Sequence, residues 1–163
     1  MPLITSMLKA ELVTIYEKGQ VGNPSPQIVG IKTAQAYLKY VSAGIDMGGG
    51  TFVSMLGTSK LGTKLGDIFS TSNGISATQG YAIARAFNSC LHTFKTNYQI
   101  VISTAPGFPT MLNGMAKLLS TPNSSSTSFA QKFANYLSAY TSTAIITGLI
   151  PGTPPIPFAG PIK

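Results

Sequence analysis

The sequence predicts a mainly α-helical fold: a compact bundle of five or six helices, a glycine-rich middle segment and an extended, proline-rich C-terminal arm. Three observations carry this. Apolar residues recur at three- and four-residue spacings over 3–15, 26–43, 76–97 and 128–147. Eight glycines from Gly44 to Gly74 break the chain between those stretches. Five prolines crowd the last thirteen residues, which precludes helix there and disfavours a central strand.

The elements follow in order. Leu3, Ile4, Met7, Leu8, Leu12 and Ile15 make one helical stripe, with Pro2 suited to the first turn and Gly19 to the stop. After the turn-rich Gly22-Asn23-Pro24, Ser25 and Pro26 open a second helix with Ile28, Ile31, Leu38 and Val41 on one side, and Gly44 ends it. Each interior glycine costs a helix about 1 kcal/mol against Ala, so only a short helix near 59–70 is expected in the next segment. Ser76 and Gln79 then form a capping box ahead of Ile83, Phe87, Cys90, Leu91 and Phe94. If unbroken from 76 to 97, this helix is about 33 Å long. Tyr98 to Ser103 alternates like a short strand, and Met111 to Leu119 makes a brief helix. The Ser124–Ser128 run leads into a last helix, 128–147, burying Phe129, Phe133, Leu137, Tyr140 and Ala144 and ending at Gly148. No internal repeat stands out. The domain organisation is therefore a helical domain, 1–148, followed by an extended arm, 149–163.

Charge is scarce. Eleven Lys or Arg and four Asp or Glu make up 9% of the chain, where an ordinary domain has about a quarter. In their place stand 17 Ser, 18 Thr, 17 Gly and 11 Pro. Such a surface suits a subunit packed against others. The net charge of +7 reflects missing acids more than clustered bases, although Lys60 and Lys64 lie close together. A general positive field favours proximity to DNA or to an acidic partner. Mean hydropathy is positive, at +0.24, yet no window supplies the roughly 20 predominantly apolar residues of a span. The N-terminus lacks the basic, apolar and cleavage regions of a secretory signal. Cys90 is the only cysteine, so no intrachain disulfide is possible.

The chemistry-bearing residues are few. Glu11, Glu17, Asp46 and Asp67 are dispersed, and the spacing predicts no paired-carboxylate site. On a helix Cys90 and His92 point about 200° apart, which excludes a local Cys–His pair. Gly57 to Lys64 carries two glycines of a phosphate loop, but Thr63-Lys64 reverses the Lys-Ser/Thr order that phosphate and magnesium require. Gly48-Gly49-Gly50 matches a dinucleotide turn no better. No catalytic, cofactor or metal residue is expected. The expected partner-binding residues are Ile156, Pro157, Phe158 and Ile162, apolar anchors on an arm whose prolines lower the entropy lost on docking.

The proline arm IITGLIPGTPPIPFAGPIK and the helix before it resemble the minor virion proteins of tailed bacteriophages, among tail, baseplate and neck components. The resemblance implies a virion location and a non-enzymatic structural role. It also implies other virion proteins as partners, the chain itself in a symmetric ring, and no small-molecule substrate. Two rival classes are a membrane-active or secreted small helical protein and a small enzyme using His92.

Overall fold

The computed structural model describes residues 3–21, 24–71 and 76–163, with the backbone alone over 18–21. Pro2, the Gly22–Asn23 link and Gly74 lie outside the described residues. The elements run α1 (Thr5–Val21), α2 (Pro26–Ser42), β1 (Phe52–Met55), α3 (Thr58–Ser70), α4 (Ala77–Leu91), β2 (Phe94–Thr96), β3 (Gln99–Thr104), α5 (Phe108–Ser120), α6 (Ser126–Thr141), β4 (Ile145–Ile150) and β5 (Ile156–Pro161). The mainly helical class holds, with six helices among the described residues. Two small antiparallel sheets accompany them, β1–β2 and β3–β4–β5.

Three serines start three helices alike. The side chains of Ser25, Ser76 and Ser125 accept the N–H groups of Ile28, Gln79 and Ser128 at 3.4, 3.5 and 3.0 Å, satisfying donors that a helix start leaves without partners. The helices so capped, α2, α4 and α6, meet one another through side chains. Tyr37 and Phe87 stack edge-on at 5.0 Å and Phe87 and Phe133 at 5.8 Å. The Tyr37 hydroxyl shares a 2.8 Å hydrogen bond with Thr141, and Tyr140 donates to Asn88 Oδ1 at 2.6 Å.

Their buried positions fall fifty residues apart. Gly30, Gly80 and Ala130 correspond, as do Ala34, Ala84 and Ala134, then Tyr37, Phe87 and Leu137, then Tyr40, Cys90 and Tyr140. Each of these inner helices has an outer partner. Helix α3 packs on α2 and α5 on α4, with Leu61 and Leu65 matching Met111 and Met115. The outer partner of α6 is α1, which supplies Leu8 and Leu12. Contacts between α1 and α2, α3 and α4, and α5 and α6 complete a closed ring of three helix pairs. The chain is thus a threefold internal repeat, contrary to the sequence expectation. Few residues are identical between units, and the third unit is divided between the two ends of the chain.

The small residues at the crossings explain how tightly the pairs sit. A Cβ on Gly30 would lie 2.6 Å from the Gly62 carbonyl oxygen and 2.8 Å from Gly66 Cα. On Gly80 it would lie 2.5 Å from Ala116 Cα. Glycine is needed there because backbone meets backbone.

Strands join the units at one end of the ring. Strand β1 of the first unit pairs with β2 of the second, and β3 of the second with β4 of the third. The C-terminus closes the circuit: Ile45 and Lys163 exchange backbone hydrogen bonds of 2.8 and 2.9 Å. Buried Asp46 organises the adjoining turn, accepting the Gly50 N–H at 2.7 Å and the Thr96 hydroxyl, while Gly49 takes φ +82°.

Three expected boundaries change. Helix α1 continues past Gly19 to Val21. The helix expected over 76–97 stops at Leu91, because the Thr93 hydroxyl turns back onto the Cys90 carbonyl and Phe94–Thr96 finds β1 as a strand partner. The helix expected to run to 147 ends at Thr141 for the same reason: Thr143 bonds the Tyr140 carbonyl and β4 begins at Ile145. These threonines also fix the outer helices, since Thr93 Oγ1 accepts the Gly57 N–H and Thr143 Oγ1 the Gly107 N–H, both at 2.8 Å.

Candidate interaction surface

The C-terminal segment is extended, as its prolines require, but it folds back on its own chain. Strand β5 pairs with β4 from Ile150–Ile156 to Ile145–Pro161. The Ile162 N–H donates to the Ala144 carbonyl at 3.3 Å. Ile162 is therefore corrected from partner anchor to core residue: it is 2% exposed and, like Leu3, lies against Gly44. Ile156 is 59% exposed, Pro157 is exposed and Phe158 is half-buried against Gly48 and Gly148.

The pairing shows why prolines suit this strand. Antiparallel neighbours alternate between positions that bond across the ladder and positions that face away. Ile162 bonds inward to β4, so 156, 158 and 160 share that parity, and the N–H groups of 157, 159 and 161 face the free edge. Two of those three positions are Pro157 and Pro161, which have no N–H to offer. The edge is thus protected against addition of a foreign strand, and contacts here must come from side chains.

The sheet face supplies them. No residue of β3, β4 or β5 is charged. Val101, Leu149 and Pro157 are exposed on its outer side, while Ile100, 68% exposed at the β3 bulge, and Ile156, paired with Ile150, are exposed out of phase with them at the edges of the sheet. Thr147, Ala159 and Ser103 fill the face between them with small or hydroxyl groups. Along the other sheet, Val53 is exposed and Leu56, just past β1, is 84% exposed. Leu56 borders an open groove of about 500 Å³ lined by Ile31, Leu38, Phe52 and Met55. Exposed apolar surface without charge marks interaction sites. The sequence reading placed the anchors only on the arm and missed Ile100, Val101 and Leu149. The signal that could have found them is the absence of charge from Thr96 to Ala116, matching that from Phe133 to Ile162.

The acidic side chains are each engaged separately. Glu11 pairs with Lys39, Glu17 accepts from the Thr127 hydroxyl, and Asp67 accepts from Gln27 Nε2 at 3.2 Å. Asp46 is enclosed in its turn. His92 is exposed, with Nδ1 2.8 Å from the Asn88 carbonyl oxygen, while Cys90 faces the core. Burial pushes the Cys90 thiol up to about 11, against a small opposing effect of Thr58, which keeps it from acting as a nucleophile near neutrality. Among the described residues no three His, Cys, Asp or Glu side chains gather as a metal site would need. Among them, too, no helix is long and apolar enough to cross a membrane. The Gly57 N–H, which a phosphate loop would turn towards its ligand, is held by Thr93. Compared with family models, curated proteins and solved structures, the chain gives no match.

Proposed function

We propose that this protein is a non-enzymatic structural subunit of a large assembly, of the tail, baseplate or neck kind found in tailed-phage virions, and that it docks through the β3–β4–β5 face. The observation carrying this reading is the uncharged outer sheet face, where Val101, Leu149 and Pro157 are exposed around Thr147 and Ala159. Such a face loses little on desolvation. Burying one large aliphatic side chain there is worth roughly 1.5–3 kcal/mol, and a specific interface covers on the order of 1,200–2,000 Å². Of the anchors expected on the arm, Pro157 shares the outer face with Leu149, while Ile156 and Phe158 lie on the other side of the hairpin. The virion assignment rests on the sequence resemblance. The sheet face supports the docking role itself.

The test is copurification of the tagged full chain from cells that make the whole assembly. The chain should bring neighbouring subunits with it, and Val101→Lys with Leu149→Lys should release them while leaving the melting temperature unchanged. Recovery of the unaltered chain as a lone monomer from such cells would refute the proposal.

A further inference from the structure

The three helix pairs leave three equivalent clefts where one pair meets the next, and their chemistry differs. Between α5 and α6 the cleft, about 200 Å³, carries no charge, and the Tyr136 ring lines it over Gly114. Between α1 and α2, Glu11 and Lys39 neutralise each other across it. Between α3 and α4 lies a cleft of about 180 Å³, with Ala86 at the position that Tyr136 takes in the sister cleft. Lys60 and Lys64 line it, one helical turn apart and both exposed, with Ser89 and Thr93 opposite. Lys64 occupies the position of Glu11 and Ser89 that of Lys39, so the acid of the sister pair is replaced by a second cation. Arg85 and His92 flank Ser89 on the same face of α4. Among the described residues the one ion pair is Lys39–Glu11, and the remaining acids are engaged elsewhere. Asp67, one turn from Lys64 on α3, is bonded to Gln27, and the cleft and its rim keep a net positive charge from Lys60, Lys64 and Arg85.

We propose that the α3–α4 cleft seats the phosphate backbone of a nucleic acid. Ammonium groups and hydroxyls together are the usual backbone contacts; here the hydroxyl is that of Ser89, since Thr93 already bonds Cys90 and Gly57, and two lysines a turn apart suit a polymer with repeating charges. The cleft has no aromatic side chain to stack a base, so the contact is independent of sequence. This goes beyond the docking reading, uses a different face and is tested on the isolated protein.

The experiment is fluorescence anisotropy of the full chain with a labelled duplex of about 20 base pairs, between about 50 and 200 mM salt. Each neutralised phosphate adds about 0.9 to the salt slope. Lys60→Gln with Lys64→Gln should therefore flatten the slope by nearly two, and the unaltered chain should lose about tenfold more affinity than this variant across that range. Ser89→Glu, which copies the neutralised sister cleft, should weaken binding with both lysines in place. Lys32→Gln with Lys132→Gln, exposed lysines on α2 and α6, should change affinity less than about twofold, since they lie outside the proposed contact. The proposal is overturned by no binding at the lowest salt or by an equal loss in the Lys32/Lys132 variant. It is also overturned if polyglutamate of equal charge displaces the duplex as well as unlabelled DNA does, which would mark the cleft as a seat for acidic protein.

Discussion

Replacing Gly30 by Ala should destabilise the protein although it improves the helix. In an isolated helix the change gains about 1 kcal/mol. Here the new methyl would stand 2.6 Å from the Gly62 carbonyl oxygen and 2.8 Å from Gly66 Cα. Both are backbone atoms and cannot rotate aside, so α2 and α3 must separate along their crossing. Overpacking of a filled core typically costs 1–3 kcal/mol and occasionally more, and rigid neighbours place this site at the upper end. The net loss should be about 2 kcal/mol, a melting temperature lower by about 4–8 °C for a chain of this size. Thermal unfolding followed by circular dichroism measures it. Gly152→Ala is the control: it is exposed, its nearest atom would be Pro154 O at 3.3 Å, and its effect should stay within about 0.5 kcal/mol. A Gly30→Ala variant melting at or above the unaltered protein would show that the crossing is looser than described and that helix propensity decides.

Two other outcomes are expected. Ile162→Ala should cost about 2–5 kcal/mol as a buried aliphatic truncation, and deleting 151–163 should cost more, because β4 loses its partner and Ile45 its closing bonds; unchanged melting of the truncated chain would show the arm to be dispensable to the fold. Stability should also fall in alkali: burial raises Cys90 to about 11 and Tyr16 to about 12, so the protonated groups stabilise the fold fully below about pH 9, and the thiol's share is lost as pH rises from there towards 11. Cys90→Ala should flatten that decline in urea titrations, and an identical slope would sink the assignment.

The helical class was legible because the 3.6-residue stripes are uninterrupted and three serine caps announce their starts. The strands were harder to read. Phe94-Lys95-Thr96 and Ile145 to Ile150 follow helical stripes without a Gly or Pro between, and they become strands because partners about forty residues away pair with them. The arm was read correctly as extended and wrongly as free. Its prolines fix its shape, and the direction of Ile162 depends on a pocket at Gly44 that only the folded ring creates. The α3–α4 cleft was hidden for a related reason. Lysines dispersed along a sequence show their significance only beside the equivalent pairs of the other two units.

Closure of the ring also sets an order of events in the making of the molecule. Thr5 bonds Ser138, 133 residues away, and Glu17 receives the Thr127 hydroxyl across 110 residues. During synthesis α1 emerges first, and its apolar stripe of Leu8 and Leu12 waits for α6 to leave the ribosome. The first two units gather from neighbouring segments, whereas the third needs the most distant contacts in the chain and forms slowly on that account. Until α6 emerges, the apolar stripe of α1 is therefore without its main partner.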